Sequence, residues 1–117
     1  MRHLKKGRKF GRVRKQKRAL LKSLSTGLIE CEKIKTTLQK AKELRPHIER
    51  LVTYAKKGTK MGTGIKTLEA FLPKKAAFKL TRKITPKYIE RKGGYTRIIK
   101  LPIRSRDAAK MAYIEFV

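Results

Sequence analysis

The sequence predicts a two-layer α+β domain, in which a small sheet is covered on one face by helices. Apolar residues recur at helical spacing through most of the first 84 positions of the 117-residue chain. After Gly93-Gly94 the pattern changes to two runs rich in β-branched and aromatic residues. A short β-like segment, Lys33-Ile34-Lys35-Thr36, separates the first two helices. Helices followed by strands, with no regular alternation, point to α+β rather than a doubly wound α/β sheet.

The first helix is expected from about Val13 to Ile29, because Val13, Leu20, Leu24 and Leu28 share one face. Its other faces carry Arg14, Lys15, Lys17, Arg18 and Lys22. Gly27 weakens the helix near its end without stopping it. After the β segment, Thr36 lies three residues before Gln39, a capping signal that starts the second helix near Thr36 or Thr37. Leu38, Ala41, Leu44, Ile48, Leu51, Val52 and Ala55 form its buried stripe, with Gly58 expected to end it. Pro46 removes one backbone hydrogen bond inside it and predicts a kink rather than two helices.

Residues 58–64 read as a mobile loop. Ile65–Leu72 reads as a short helix closed by Pro73, and Lys74–Ile84 as another, with Ala77, Leu80 and Ile84 inward and Pro86 ending it. The strands are expected at Tyr95–Leu101 and Met111–Val117, the latter with Ala112, Ile114 and Phe116 on one side. Between them, Pro102–Lys110 is too long for a tight turn and suits an irregular hairpin loop.

Charge bears most directly on function. Lys and Arg number 34 against 8 Asp and Glu, a net charge of +26, so internal pairing leaves most cations unmatched. Such a chain repels itself and gains from a polyanion that brings its own negative charge. Nucleic acid is the densest polyanion, and each phosphate contact releases counterions. Hydrophobic residues at 39% argue that the chain also folds. The division expected is a basic arm over 1–12, ordered on RNA and running clear of the body, and one RNA-binding domain over 13–117.

Other function classes find little support. No run of about 20 apolar residues offers a membrane span, and Lys22 interrupts the apolar run Ala19-Leu20-Leu21 that a signal peptide would need to extend. A cleaved transit peptide is not expected, since the basic start has no serine before Ser23. The single Cys31 excludes an internal disulfide and a cysteine-only zinc site. His3 and His47 are far apart without ligand-spaced partners, so no metal or other cofactor is expected. In GTKMGTGIKT, Ile65 separates Gly64 from Lys66-Thr67, which breaks the spacing of a phosphate-binding P-loop. No pair of acids is placed for acid–base chemistry, and neither an enzyme nor a small-molecule substrate is expected.

A charge run is usually a solvated face, and many of these lysines could be no more than that. Two features favour RNA. Positive charge continues onto every expected element, including Arg82 and Lys83, and it is interleaved with His3, Phe10, Tyr88 and Tyr95. Phosphate contacts combined with planar groups suit RNA with unpaired bases. The candidate contacts on the arm are Arg2, Lys5, Lys6, Arg8, Lys9 and Arg12. On the first helix they are Arg14, Lys15, Lys17, Arg18 and Lys22. Arg91, Lys92, Arg104 and Arg106 add charge near the strands. A histone-like DNA-compacting protein is the rival reading, and a membrane-active cationic protein comes third.

Four stretches in order, MRHLKKGRKFGR, LIECEKIKTTLQKAKELR, GGYTRIIKL and MAYIEFV, resemble the ribosomal protein seventeen family of the bacterial large subunit. The resemblance runs from Met1 to Val117. It implies an α-β-α-α-α-β-β domain with a small mixed three-stranded sheet. It also implies binding to large-subunit ribosomal RNA near the exit of the nascent-peptide tunnel, beside other ribosomal proteins, with a role in assembly. The placement implied is a bacterial cytoplasmic ribosome, an organellar ribosome being the other. By this likeness His3, Lys35, Lys40, Arg45, Tyr95 and Arg97 are expected to face RNA. Three departures stand out: Val13–Arg18 replaces a serine-capped helix start, Cys31 sits where histidine is frequent, and Arg106 fills a hairpin position that is often glycine. If that last position requires positive φ, the loop must be rearranged.

Overall fold

The computed structural model describes residues 3–4, 7–61 and 64–117. Val13, in extended conformation, precedes the helix α1 (Arg14–Cys31) and offers no side-chain cap. The helix nevertheless starts there, with the Lys17 N–H donating to the Val13 carbonyl at 2.9 Å. Val13 is itself 65% exposed, so the buried stripe begins later than the spacing predicts. Only Ser25, Leu28 and Ile29 are buried along α1, with Leu24 packed against the core. The first turns bury no apolar side chain, and Arg14, Lys15 and Arg18 project their charge into solvent. Glu32, left-handed at φ 63°, ends the helix as its N–H donates to the Leu28 carbonyl.

β1 (Lys33–Thr37) leads directly into α2 (Leu38–Met61). The cap is Thr37 rather than Thr36, with the Lys40 N–H donating to Thr37 Oγ1 at 3.4 Å. α2 runs unbroken through Pro46, which is exposed, so the carbonyl that loses its partner can reach water. It also continues past Gly58, which does not end it. Gly58 is buried, and packing there outweighs a helix penalty of about 1 kcal/mol. The expected loop over 58–64 is therefore largely helical, with Gly62 and Thr63 outside the described residues.

α3 (Gly64–Glu69) and α4 (Lys74–Lys79) follow. The helix expected to Ile84 changes form after Lys79. Leu80–Ile84 is a π turn and Thr85–Tyr88 a 3-10 turn that holds Pro86. Widening the turn ahead of Pro86 relieves the clash its ring would make four residues back. The chain ends in β2 (Thr96–Leu101) and β3 (Met111–Phe116).

The sheet order is β1-β3-β2, antiparallel throughout. This corrects the mixed sheet: β1 and β2 run in the same direction but are separated by β3. Ile34, Ile114 and Ile98 align in register across the inner face. Leu44, Ile48, Leu51 and Val52 of α2 belong to the same core cluster. The domain is thus α+β with one covered sheet face. Its outer face is open, and that is where the functional question lies.

Candidate nucleic-acid interface

The outer sheet face follows from strand alternation. Residues 33 and 35 of β1, 113 and 115 of β3, and 97 and 99 of β2 point away from the core. In register they form two rows, Lys33–Glu115–Arg97 and Lys35–Tyr113–Ile99. Glu115 is the only carboxylate in these rows. It lies 3.7 Å from Arg97 Nε and 3.9 Å from Lys33 Nζ, so it serves both cations weakly. Lys33 Nζ also sits 4.3 Å from the centroid of the Tyr113 ring. Beside Tyr113 and Lys35, the start of the hairpin loop walls a recess of about 370 Å³.

The hairpin loop is held by its own charges. Arg104 donates twice to Asp107, at 2.9 and 2.7 Å, which occupies the guanidinium that the sequence offered to RNA. Those bonds, and then the Ala109 N–H, hold the Asp107 carboxyl down at about 2. A carboxylate lowered from 3.8 contributes at all pH values above that and loses its contribution as pH falls toward 2. Positive φ falls on Ala108, at 57°, and not on Arg106. The missing glycine therefore imposes no rearrangement. Arg106 stands exposed.

The second cationic surface is α1 with the arm. Arg14, Lys15, Arg18 and Lys22 are all exposed. Lys17 is not free, since its ammonium lies 3.2 Å from Glu43 Oε1. Arg8 meets the other oxygen of Glu43 at 3.2 Å and donates to Gln39 Oε1 at 2.8 Å. Without RNA, the described part of the arm is thus fastened to α2. In so basic a chain, a carboxylate beside the arm attracts it. Gly7, at φ 105°, lies against the same group, and a Cβ there would come within 3.2 Å of Glu43 Oε1. Lys9, Arg12 and His3 are exposed, with the Arg12 guanidinium donating to the Phe10 carbonyl. Arg2, Lys5 and Lys6 lie outside the described residues.

Burial raises the Glu43 carboxyl pKa, but the hydrogen bonds and charges of Lys17 and Arg8 outweigh it, and the net shift is downward from 4.5. The latch is therefore complete above 4.5 and is lost as pH falls below it. Glu43→Gln should release residues 7–12 at neutral pH. Backbone amide exchange at Arg8–Arg12 should quicken in the variant, and unchanged protection would show that Glu43 does not hold the arm.

The other candidates divide. Lys35 and Arg97 share the outer sheet face, as described. Lys40 is half-buried, and Arg45 is exposed with its Nε 3.8 Å from Glu49. Arg91 and Lys92 are exposed in the segment before β2. Tyr95 does not face solvent. It is 3% exposed, its ring centroid lies 5.4 Å from that of Tyr88, and its hydroxyl donates to the Arg91 carbonyl. Tyr88 is buried too, donating to the Val117 carbonyl at 2.7 Å. The aromatic on the outer sheet face is the half-buried Tyr113, which charge and motif reasoning do not single out. The alternation that sets Ala112, Ile114 and Phe116 inward already requires it to point out.

The open sheet face and the unmatched helix charge define a class: a basic protein that binds rather than catalyses, of the kind found in ribosomes. Comparison with known proteins narrows this to one family. Residues 20–117 match the family model of ribosomal protein L17, and the chain belongs to that family. It is 50% identical over 117 residues to the large ribosomal subunit protein bL17 of Campylobacter lari, covering all of this chain and 99% of that protein. To the protein of the same name in Sulfurimonas denitrificans it is 51% identical over 118 residues, with both chains fully covered. The Campylobacter concisus protein is 48% identical, with 98% of its length covered. The chain is thus a structural ribosomal protein and not an enzyme. Among the described residues no helix is long and apolar enough to cross a membrane.

Proposed function

We propose that the chain is a constituent of the large ribosomal subunit that binds its ribosomal RNA and adjoining ribosomal proteins, and so supports assembly. The observation that carries this reading is the first half of α1, where Arg14, Lys15 and Arg18 stand exposed with no acid between Arg2 and Ser25. Charge placed where it cannot be neutralised internally is suited to phosphate. The outer sheet face adds a second kind of contact, with Tyr113 as a platform for an unpaired base and Lys35 and Arg97 for its phosphates. The arm exchanges Glu43 for phosphate and orders fully on RNA. The position near the nascent-peptide tunnel exit is what the family resemblance implies, and the named bacterial relatives support a bacterial ribosome.

The test is competitive incorporation into reconstituted large subunits. Tyr113→Ala should reduce incorporation about 5-fold or more, the low end of what one stacked base contributes. Arg97→Ala should also reduce it, while Lys66→Ala, an exposed position on α3, should have little effect. Equal losses from Arg97→Ala and Lys66→Ala, with none from Tyr113→Ala, would mean that charge alone matters. Equal binding to duplex DNA and to ribosomal RNA would favour a DNA-compacting protein.

A further inference from the structure

The helical layer holds a second feature, away from the outer sheet face. A groove of about 300 Å³ lies between α2 and the segment that leads from the 3-10 turn to β2. Thr53 and Lys56 of α2 line one side, and Thr85 and Ile89 belong to the other. Lys57 and Lys92, both exposed, complete its charge, and none of its lining residues is acidic. The walls are mostly apolar. Ile89 is left 57% exposed beside the opening, which a domain with a small core does not need for its own stability. The Lys56 ammonium is fixed by donation to the Arg91 carbonyl at 2.5 Å and the Tyr95 hydroxyl at 3.0 Å. Thr85, 2% exposed, has a hydroxyl oxygen with no hydrogen-bond partner among the described residues.

We propose that this groove receives one unpaired nucleobase extruded from the bound RNA, with Lys57 and Lys92 on its flanking phosphates. The inference rests on the RNA-binding reading above and names a further point of contact for it. Two features select this occupant. An apolar slot of this volume lies at the small end of ligand cavities and suits a planar base. Three lysines without a carboxylate demand an anion on each side of the apolar group, which a nucleotide within a strand supplies and an apolar peptide side chain does not. The groove lies in the helical layer and Tyr113 on the opposite side of the sheet. Occupation of both makes the domain a wedge between two RNA segments rather than a cap on one.

The experiment is filter binding of the full chain to protein-free large-subunit ribosomal RNA over a series of salt concentrations. Thr53→Phe fills the groove and should weaken binding about tenfold while leaving the salt slope unchanged, because a lost stacking contact releases no counterion. Ile89→Ser changes a half-exposed side chain that the fold does not require, and should weaken binding several-fold in the same manner. Lys57→Gln with Lys92→Gln should instead lower the slope by about 1 to 2. Wild-type affinity in both Thr53→Phe and Ile89→Ser would overturn the proposal and leave the lysines as a plain basic patch. That result differs from failure of the wider reading, in which the unaltered chain itself shows no salt-dependent binding to this RNA.

Discussion

Replacing Arg14, Lys15, Arg18 and Lys22 together with Gln should lower the salt slope of ribosomal RNA binding by about 3, taking roughly 0.7–0.9 per phosphate. At physiological salt the loss of four such contacts corresponds to an affinity lower by a factor on the order of 10². These four side chains are exposed on α1, and the described residues give none of them an ion pair. Gln propagates a helix about as well as Lys or Arg, so circular dichroism should show the fold retained. Lys17 is left in place because it belongs to the Glu43 latch. An unchanged slope would show that the helix face is merely solvated and that the RNA lies elsewhere on the domain.

The largest loss of stability should come from Ile114→Ala. Ile114 is fully buried at the middle of the central strand, between Ile34 and Ile98 on the inner face. Truncating a buried isoleucine costs about 2–5 kcal/mol, against a typical domain stability of about 5–15 kcal/mol. Urea denaturation should therefore show a much lower midpoint for Ile114→Ala. Tyr113→Ala, one residue earlier on the outer face, should cost far less. The reverse order would contradict the strand register.

The helices and strands were legible because periodicity depends on burial, and the core uses the expected residues: Leu44, Ile48, Leu51 and Ile114 all lie inside. The errors fall where tertiary contacts override local signals. Gly58 reads as a stop, yet its burial carries α2 on to Met61. Pro86 reads as the end of a helix, yet the chain adapts through a π turn and a 3-10 turn. The sheet order could not be read locally, since pairing of β1 with β3 joins residues about 80 apart.

The interface was only partly legible. Exposed charge on α1 follows from composition and spacing. The burial of Tyr95 is not legible in the sequence: Gly94, at φ 64°, turns the chain just before β2, so strand alternation does not extend back to it and its ring enters the core. Glu43 is not legible as a latch because it is one of two glutamates on a basic helix, and neither carries a sequence signal. Its hold on Lys17 exists only once α1 packs beside α2, and its hold on Arg8 only once the arm folds back.

The most direct measurement of the central claim uses Cys31, the only cysteine in the chain, which is exposed. In a Cys31→Ser background, a cysteine introduced by Lys15→Cys on α1 or Glu69→Cys on α3 carries a tethered iron chelate that generates hydroxyl radicals. Each protein is assembled into large subunits, and cuts in the ribosomal RNA are mapped. The account predicts strong, localised cleavage from position 15, because the exposed half of α1 lies along RNA phosphates. Absence of cleavage from position 15, in particles that contain the protein and are cut from position 69, would contradict it.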